Sequence, residues 1–121
     1  MPDFNIKGSK IDLTKGEFII PFMSVGCSHC QKAAYKLHIL NKRNKLPPIY
    51  MVLLGTEKEV PVFIKSTKAD FPYYLSNEDS FFQFVGNSMP KIFYIKDGVV
   101  KAKYTELSLT EASLLEVIKR Q

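Results

Sequence analysis

Two unbroken apolar runs of six residues, 18–23 and 49–54, are the densest hydrophobic segments of the chain. They are too short for amphipathic helices and suit strands buried on both faces. Between them the period changes. From Ser28 to about Lys45, Cys30, Ala33, Ala34, Leu37 and Leu40 recur at helical spacing, with Lys32, Lys36 and Arg43 on the other side. This predicts a helix whose end carries Lys42, Arg43 and Lys45, where the macrodipole favours cations, and which Leu46, Pro47 and Pro48 terminate.

The remaining elements follow from local signals. Phe4, Asn5, Ile6 and Ile11, Asp12, Leu13, joined by Lys7, Gly8, Ser9 and Lys10, read as a small hairpin within residues 1–16. A strand over 17–23 leads through Ser24, Val25 and Gly26 into the first helix. Thr56 with Glu59 forms a capping-box pattern for a short helix with Val60, Phe63 and Ile64 on its apolar face and Pro61 in its first turn. Residues 71–75 form a brief extended piece, and Ser76 can cap a helix running through Phe81, Phe82, Phe84 and Val85. Strands over 90–96 and 99–104 are joined by Asp97 and Gly98, a strong hairpin signal. Ser108 with Glu111 has the spacing to open a last helix with Ala112, Leu114, Leu115, Val117 and Ile118 facing the core. Strands that alternate with helices and then close on a hairpin imply an α/β fold: a central mixed sheet, helices on both faces, and a parallel β-α-β crossover early in the chain.

Composition narrows the class. The 121 residues, 45% hydrophobic, suffice for one domain over 1–121 but not for two sizeable cores. No apolar run approaches the roughly 18 residues of a membrane span. The net charge of +5 is spread along the chain and does not call for nucleic acid. The start of the chain has no basic region followed by an apolar stretch. Either the protein is cytosolic, or a targeting segment lies outside these residues.

The chemistry concentrates at Cys27-Ser28-His29-Cys30. At positions i and i+3 of a first helical turn, two side chains point the same way with Cβ atoms about 5–6 Å apart, so a disulfide and the reduced pair are both accommodated. Cys27 stands at the helix amino end, where free N–H groups and the dipole favour the attacking thiolate. Cys30, one turn deeper, is shielded and placed to resolve a mixed disulfide. A protonated His29 beside Cys27 would stabilise the thiolate further, whereas His38 falls near the apolar stripe and reads as structural. A zinc site would need about four ligands, and only two thiols and His29 are at hand. An inert staple closing a two-residue loop would add little stability.

These features resemble the thioredoxin superfamily. The segment from Phe22 to Cys30 after a buried strand is similar to its strand–CxxC–helix unit. The run from Ser88 through Met89, Pro90 and Lys91 to Ile95, followed by Asp97 and Gly98, is similar to its cis-proline loop and terminal hairpin. The leading hairpin and the helix near 60–68 look most like the TlpA/ResA branch. The resemblance implies a three-layer thioredoxin-like fold, with Cys27 as nucleophile, Cys30 as resolving thiol, and Ser28 and His29 tuning the motif. It implies that Pro90 is a cis-proline that exposes the Met89 backbone to an extended substrate peptide. Two departures stand out. Thioredoxin has Gly-Pro between its cysteines, and it carries a buried acid six residues before the first, where this chain has Pro21. Proton transfer at Cys30 must then use water or another carboxylate, with the stretch 57–59 as the candidate source.

The activity this implies is thiol–disulfide exchange with protein substrates, reductive in direction, with no cofactor beyond the Cys27–Cys30 disulfide and no metal. The expected partners are protein thiols or disulfides and an upstream redox protein, with the chain itself a monomer. The family likeness implies a periplasmic location with a membrane anchor outside these residues, and the alternative is the cytoplasm. The competing classes are a non-catalytic binding module using the aromatics of 71–74, and a metal-delivery domain. Peroxidase action is disfavoured because no Arg precedes Arg43.

Overall fold

The computed structural model describes residues 4–6, 9–76 and 89–120. A two-stranded ribbon, β1 (Phe4–Ile6) and β2 (Ser9–Ile11), opens the chain, and pairing Ile6 with Ser9 starts the second strand two residues before the position expected from the alternation. Then follow β3 (Glu17–Ser24), α1 (Ser28–Arg43), β4 (Met51–Leu54), α2 (Glu59–Thr67), β5 (Tyr73–Ser76), β6 (Lys91–Lys96), β7 (Val99–Tyr104) and α3 (Glu111–Arg120). The last five strands make one mixed sheet in the order β5-β4-β3-β6-β7. β3, β4 and β5 run parallel, and β6 and β7 are antiparallel additions. The mixed sheet and the early parallel β-α-β unit are those the alternating pattern implies. The expected helix through Phe81, Phe82, Phe84 and Val85 lies outside the described residues. No helix among those described is long and apolar enough to cross a membrane.

The strand period of two divides the sheet's side chains between two cores. Ile19, Met23, Met51, Leu53, Ile92 and Tyr94 face one layer, and all three described helices pack there. Ile20, Phe22, Val52, Phe93 and Ile95 face the other with Leu13, where the Phe22 and Phe93 rings meet edge to face at 5.4 Å. The predicted stripe of α1 is the buried one: Cys30, Ala33, Ala34, Leu37 and Leu40. Two alanines at its centre let the helix lie close to the sheet.

Pro21 sits inside the central strand, where proline is unusual. Ile19 directs both its N–H and its carbonyl to the loop before β4, bonding Pro48 and Tyr50 at 2.9 and 3.0 Å. Position 21 faces the same way, and proline has no N–H to give. Regular pairing to β4 accordingly resumes only at Phe22 and Val52.

Helix ends follow local chemistry, with one correction. Glu59 reaches back to the Thr56 N–H and hydroxyl, both at 2.9 Å, and Pro61 occupies the third helical position, where no N–H is needed. The last helix is capped by Thr110 and Ser113 rather than by Ser108 and Glu111. The Ser113 N–H bonds the Thr110 hydroxyl at 3.2 Å, while Ser108 turns to Thr105. Glu111 instead accepts from Asn44 at 2.9 Å and pairs with Arg43 at 3.1 Å, tying the start of α3 to the end of α1. On α3 Leu114 is buried, with Val117 and Ile118 packed against the core, but Ala112 is exposed. At the β6–β7 hairpin Asp97 and Gly98 both have positive φ, 50° and 81°, the backbone of a type I′ turn.

Leu37 is fully buried at the middle of the α1 stripe. Leu37→Ala is expected to destabilise the fold by about 2–5 kcal/mol through lost burial and the cavity left behind, measured as a lower urea midpoint with an unchanged slope.

Candidate active site

The site is built where β3 hands the chain to α1. β3 ends at Ser24, and Val25 and Gly26 turn the backbone, with the Cys27 N–H bonded to the Ser24 carbonyl at 3.2 Å. Cys27 is the extended cap residue of α1, φ −92° and ψ 124°, and its carbonyl accepts the Gln31 N–H at 3.0 Å. The Gln31 side chain returns to the Val25 carbonyl at 3.1 Å and braces the turn. Ser28, exposed, opens the helix, and Cys30 is its third residue.

Both cysteines are free thiols in unlike surroundings: Cys27 is half-buried and Cys30 fully buried. The Ser24 N–H points at Cys30 Sγ from 3.4 Å. Burial pushes the Cys30 thiol up to about 12, opposed by that N–H and reinforced by the hydrogen bond and charge of Cys27. One sulfur thus meets solvent while the other is held as a thiol behind it.

His29 is exposed at 65%, and its ring turns toward the loop between β7 and α3, where Nδ1 meets Glu106 Oε1 at 3.1 Å. Lys36 donates to the Glu106 carbonyl at 2.6 Å and lies 4.0 Å from Oε2. Glu106 was not apparent from the sequence, because 77 residues separate it from His29 and no local spacing marks it. Met89 and buried Pro90 precede β6, and the bond between them is cis. Met89, Pro90, His29, Thr105, Glu106 and Leu107 line a cavity of about 310 Å³ beside the motif. Leu107, 84% exposed, forms its open apolar lip.

Other sequence candidates fall elsewhere. His38 stacks loosely on Tyr35, ring centres 6.1 Å apart, further along α1. Glu57 and Glu59 are exposed, and the Glu59 carboxylate is engaged by Thr56. The aromatics of 71–74 are not a free surface: Phe71 and Tyr73 pack on one core and Tyr74 on the other. Among the described residues no three His, Cys, Asp or Glu side chains cluster as metal ligands.

The fold has close relatives in shape. The secreted disulfide oxidoreductase of Mycobacterium tuberculosis homologous to E. coli DsbE superposes with a TM-score of 0.75 at 12% identity, covering 99% of this chain and 96% of that one. StoA from Bacillus subtilis gives 0.75 at 21% identity, with 97% and 96% covered. A thioredoxin-like protein from Aeropyrum pernix gives 0.78 at 16% identity, with 99% and 89% covered. The chain has the thioredoxin fold. Its structural neighbours include thiol–disulfide oxidoreductases, as the sequence resemblance implied. In sequence, this thioredoxin-fold chain is 33% identical over 93 residues to Protein TlpB of Flavobacterium psychrophilum. That match takes in 74% of the chain, which spans about a quarter, 25%, of the relative's length. No protein-family model matches the chain.

The raised Cys30 value carries a sign for stability. A thiol held protonated in the fold releases its proton more readily once unfolded, so its stabilising contribution is intact below the ordinary thiol value of 9.0 and is lost as pH rises toward about 12. Tyr94 and Tyr104, also raised by burial, act in the same direction. Thermal midpoints should therefore fall from about pH 9 upward, and Cys30→Ser should flatten part of that fall.

Proposed function

We propose that the chain is a thiol–disulfide oxidoreductase acting on protein substrates in the reducing direction. The observation that carries this reading is the pair itself: a half-exposed thiol at the amino-terminal cap of a helix with a second, buried thiol on its first turn. The disulfide oxidoreductases among the structural neighbours support the same reading.

The reaction balances on two thiols. The Cys27 thiolate attacks one sulfur of a substrate disulfide, and the other sulfur leaves as a thiolate and takes up a proton. Cys30 then gives up its proton and attacks Cys27 Sγ, which releases the second substrate thiol and leaves the Cys27–Cys30 disulfide. Two electrons have passed to the substrate. A dithiol partner of the same chemistry must return them before the next cycle. The burial that keeps Cys30 protonated delays its attack until the mixed disulfide has formed beside it.

The cavity between His29 and Met89 is where the substrate chain meets the motif, with the Met89 backbone pairing to an extended peptide and Pro90 holding that backbone in place. Ser28 and His29 complete the face presented to it. The protein works as one domain over 1–121, with the leading hairpin as an extension, as a monomer, and outside the cytoplasm. The secreted neighbour from Mycobacterium tuberculosis supports that location.

Insulin reduction with dithiothreitol as donor tests the activity. Wild type should accelerate precipitation of the insulin chains and Cys27→Ser should not, while Cys30→Ser should accumulate a mixed disulfide through Cys27, visible as a non-reducing gel shift. A folded protein with no turnover and no trapped complex would refute the enzyme reading.

A further inference from the structure

Glu106 is more shielded than its place in the chain demands. Thr105, Leu107 and Ser108 around it are exposed, yet its own side chain is only 14% exposed. Removing a carboxylate from water is costly unless charge or hydrogen bonds compensate. His29 and Lys36 lie seven residues apart on α1, two turns along one helix face, and they grip the loop together. Their contacts differ. Lys36 holds the main chain, donating to the Glu106 carbonyl at 2.6 Å and standing at 4.0 Å from the carboxylate. Oε1 of that carboxylate is aimed at the imidazole. Lys36 thus fastens the loop through its main chain, and one carboxylate oxygen goes to His29.

We propose that Glu106 is a positioning residue for the cysteine motif: its carboxylate accepts the Nδ1–H of His29 and fixes the ring on the cavity wall, two residues from Cys27, with Nε2 as its remaining nitrogen. This rests on Cys27 being the attacking thiol. The charged groups concerned are Glu106 from the β7–α3 loop and Lys36 from α1, the latter facing Glu106 and not the ring. A carboxylate that orients a histidine next to a nucleophilic thiol is the general logic of an activated cysteine.

The test is the pH dependence of iodoacetamide alkylation of Cys27, read by mass spectrometry in a Cys30→Ser background. This reports the thiol directly, with no protein substrate, so a negative insulin assay would count against the oxidoreductase reading and leave this one to be judged by itself. Glu106→Gln preserves the hydrogen-bond acceptor and removes the charge. It and His29→Ala should each slow alkylation at pH 6–7 by roughly two- to fivefold, the scale of a partly exposed ion pair. The double variant should be no slower than either single one, because the two act through one interaction. Glu106→Asp should recover most of the rate. Wild-type alkylation in Glu106→Gln would overturn the proposal. So would slowdowns that multiply in the double variant.

Discussion

One weak hydrogen bond marks the junction on which the site depends. The Ser24 N–H at the end of the central strand points at Cys30 Sγ on the first turn of α1. It fixes the buried sulfur against the sheet, and with it the angle at which the helix leaves β3. The stripe behind it, Ala33, Ala34, Leu37 and Leu40, then seals the helix onto the sheet. Given that seating, the Val25–Gly26 turn can only present Cys27 at the rim, above a thiol that burial keeps protonated. The difference between the two sulfurs is thus a property of the strand–helix joint rather than of the residues between them.

Much of this was legible in the chain because the deciding interactions are local. The two continuous apolar runs became β3 and β4, the three-and-four spacing became α1, and Asp97 with Gly98 made its hairpin, since each depends on neighbours a few residues apart. Where two local solutions competed, spacing alone chose wrongly. Ser108 and Glu111 have the capping-box pattern, but Leu109 is fully buried, and the helix starts two residues later on Thr110 and Ser113. That frees Glu111 to bind Asn44 and Arg43, contacts across 67 residues or more that no local pattern announces. The first ribbon slipped for a like reason, because β1 and β2 are so short that alternation fits two registers.

The site was half legible. Cys27 and Cys30 announce themselves by spacing, and the Met89–Pro90 segment by its place before a strand and a hairpin. The third wall of the cavity did not. Glu106 and Leu107 come from a loop that reaches the motif because β6 and β7 lie beside β3 and Lys36 of α1 holds the loop. Pro21 is intermediate: the sequence shows that no acid can lie behind Cys30 at that position, and the structure adds a break in the β3–β4 ladder at the same point. A carboxylate joins the motif instead through His29, a different route from a buried acid beneath the resolving thiol.

In the proposed reaction Cys27 and Cys30 form a single reversible redox couple. Equilibration of the folded protein across a series of glutathione ratios, with acid quenching and counting of free thiols by mass, tests it most directly. One two-electron transition is expected, in which both thiols disappear together into an internal disulfide, with little glutathione adduct at any ratio. Cys27 carrying glutathione while Cys30 stays a free thiol, or no oxidation across the series, would contradict it.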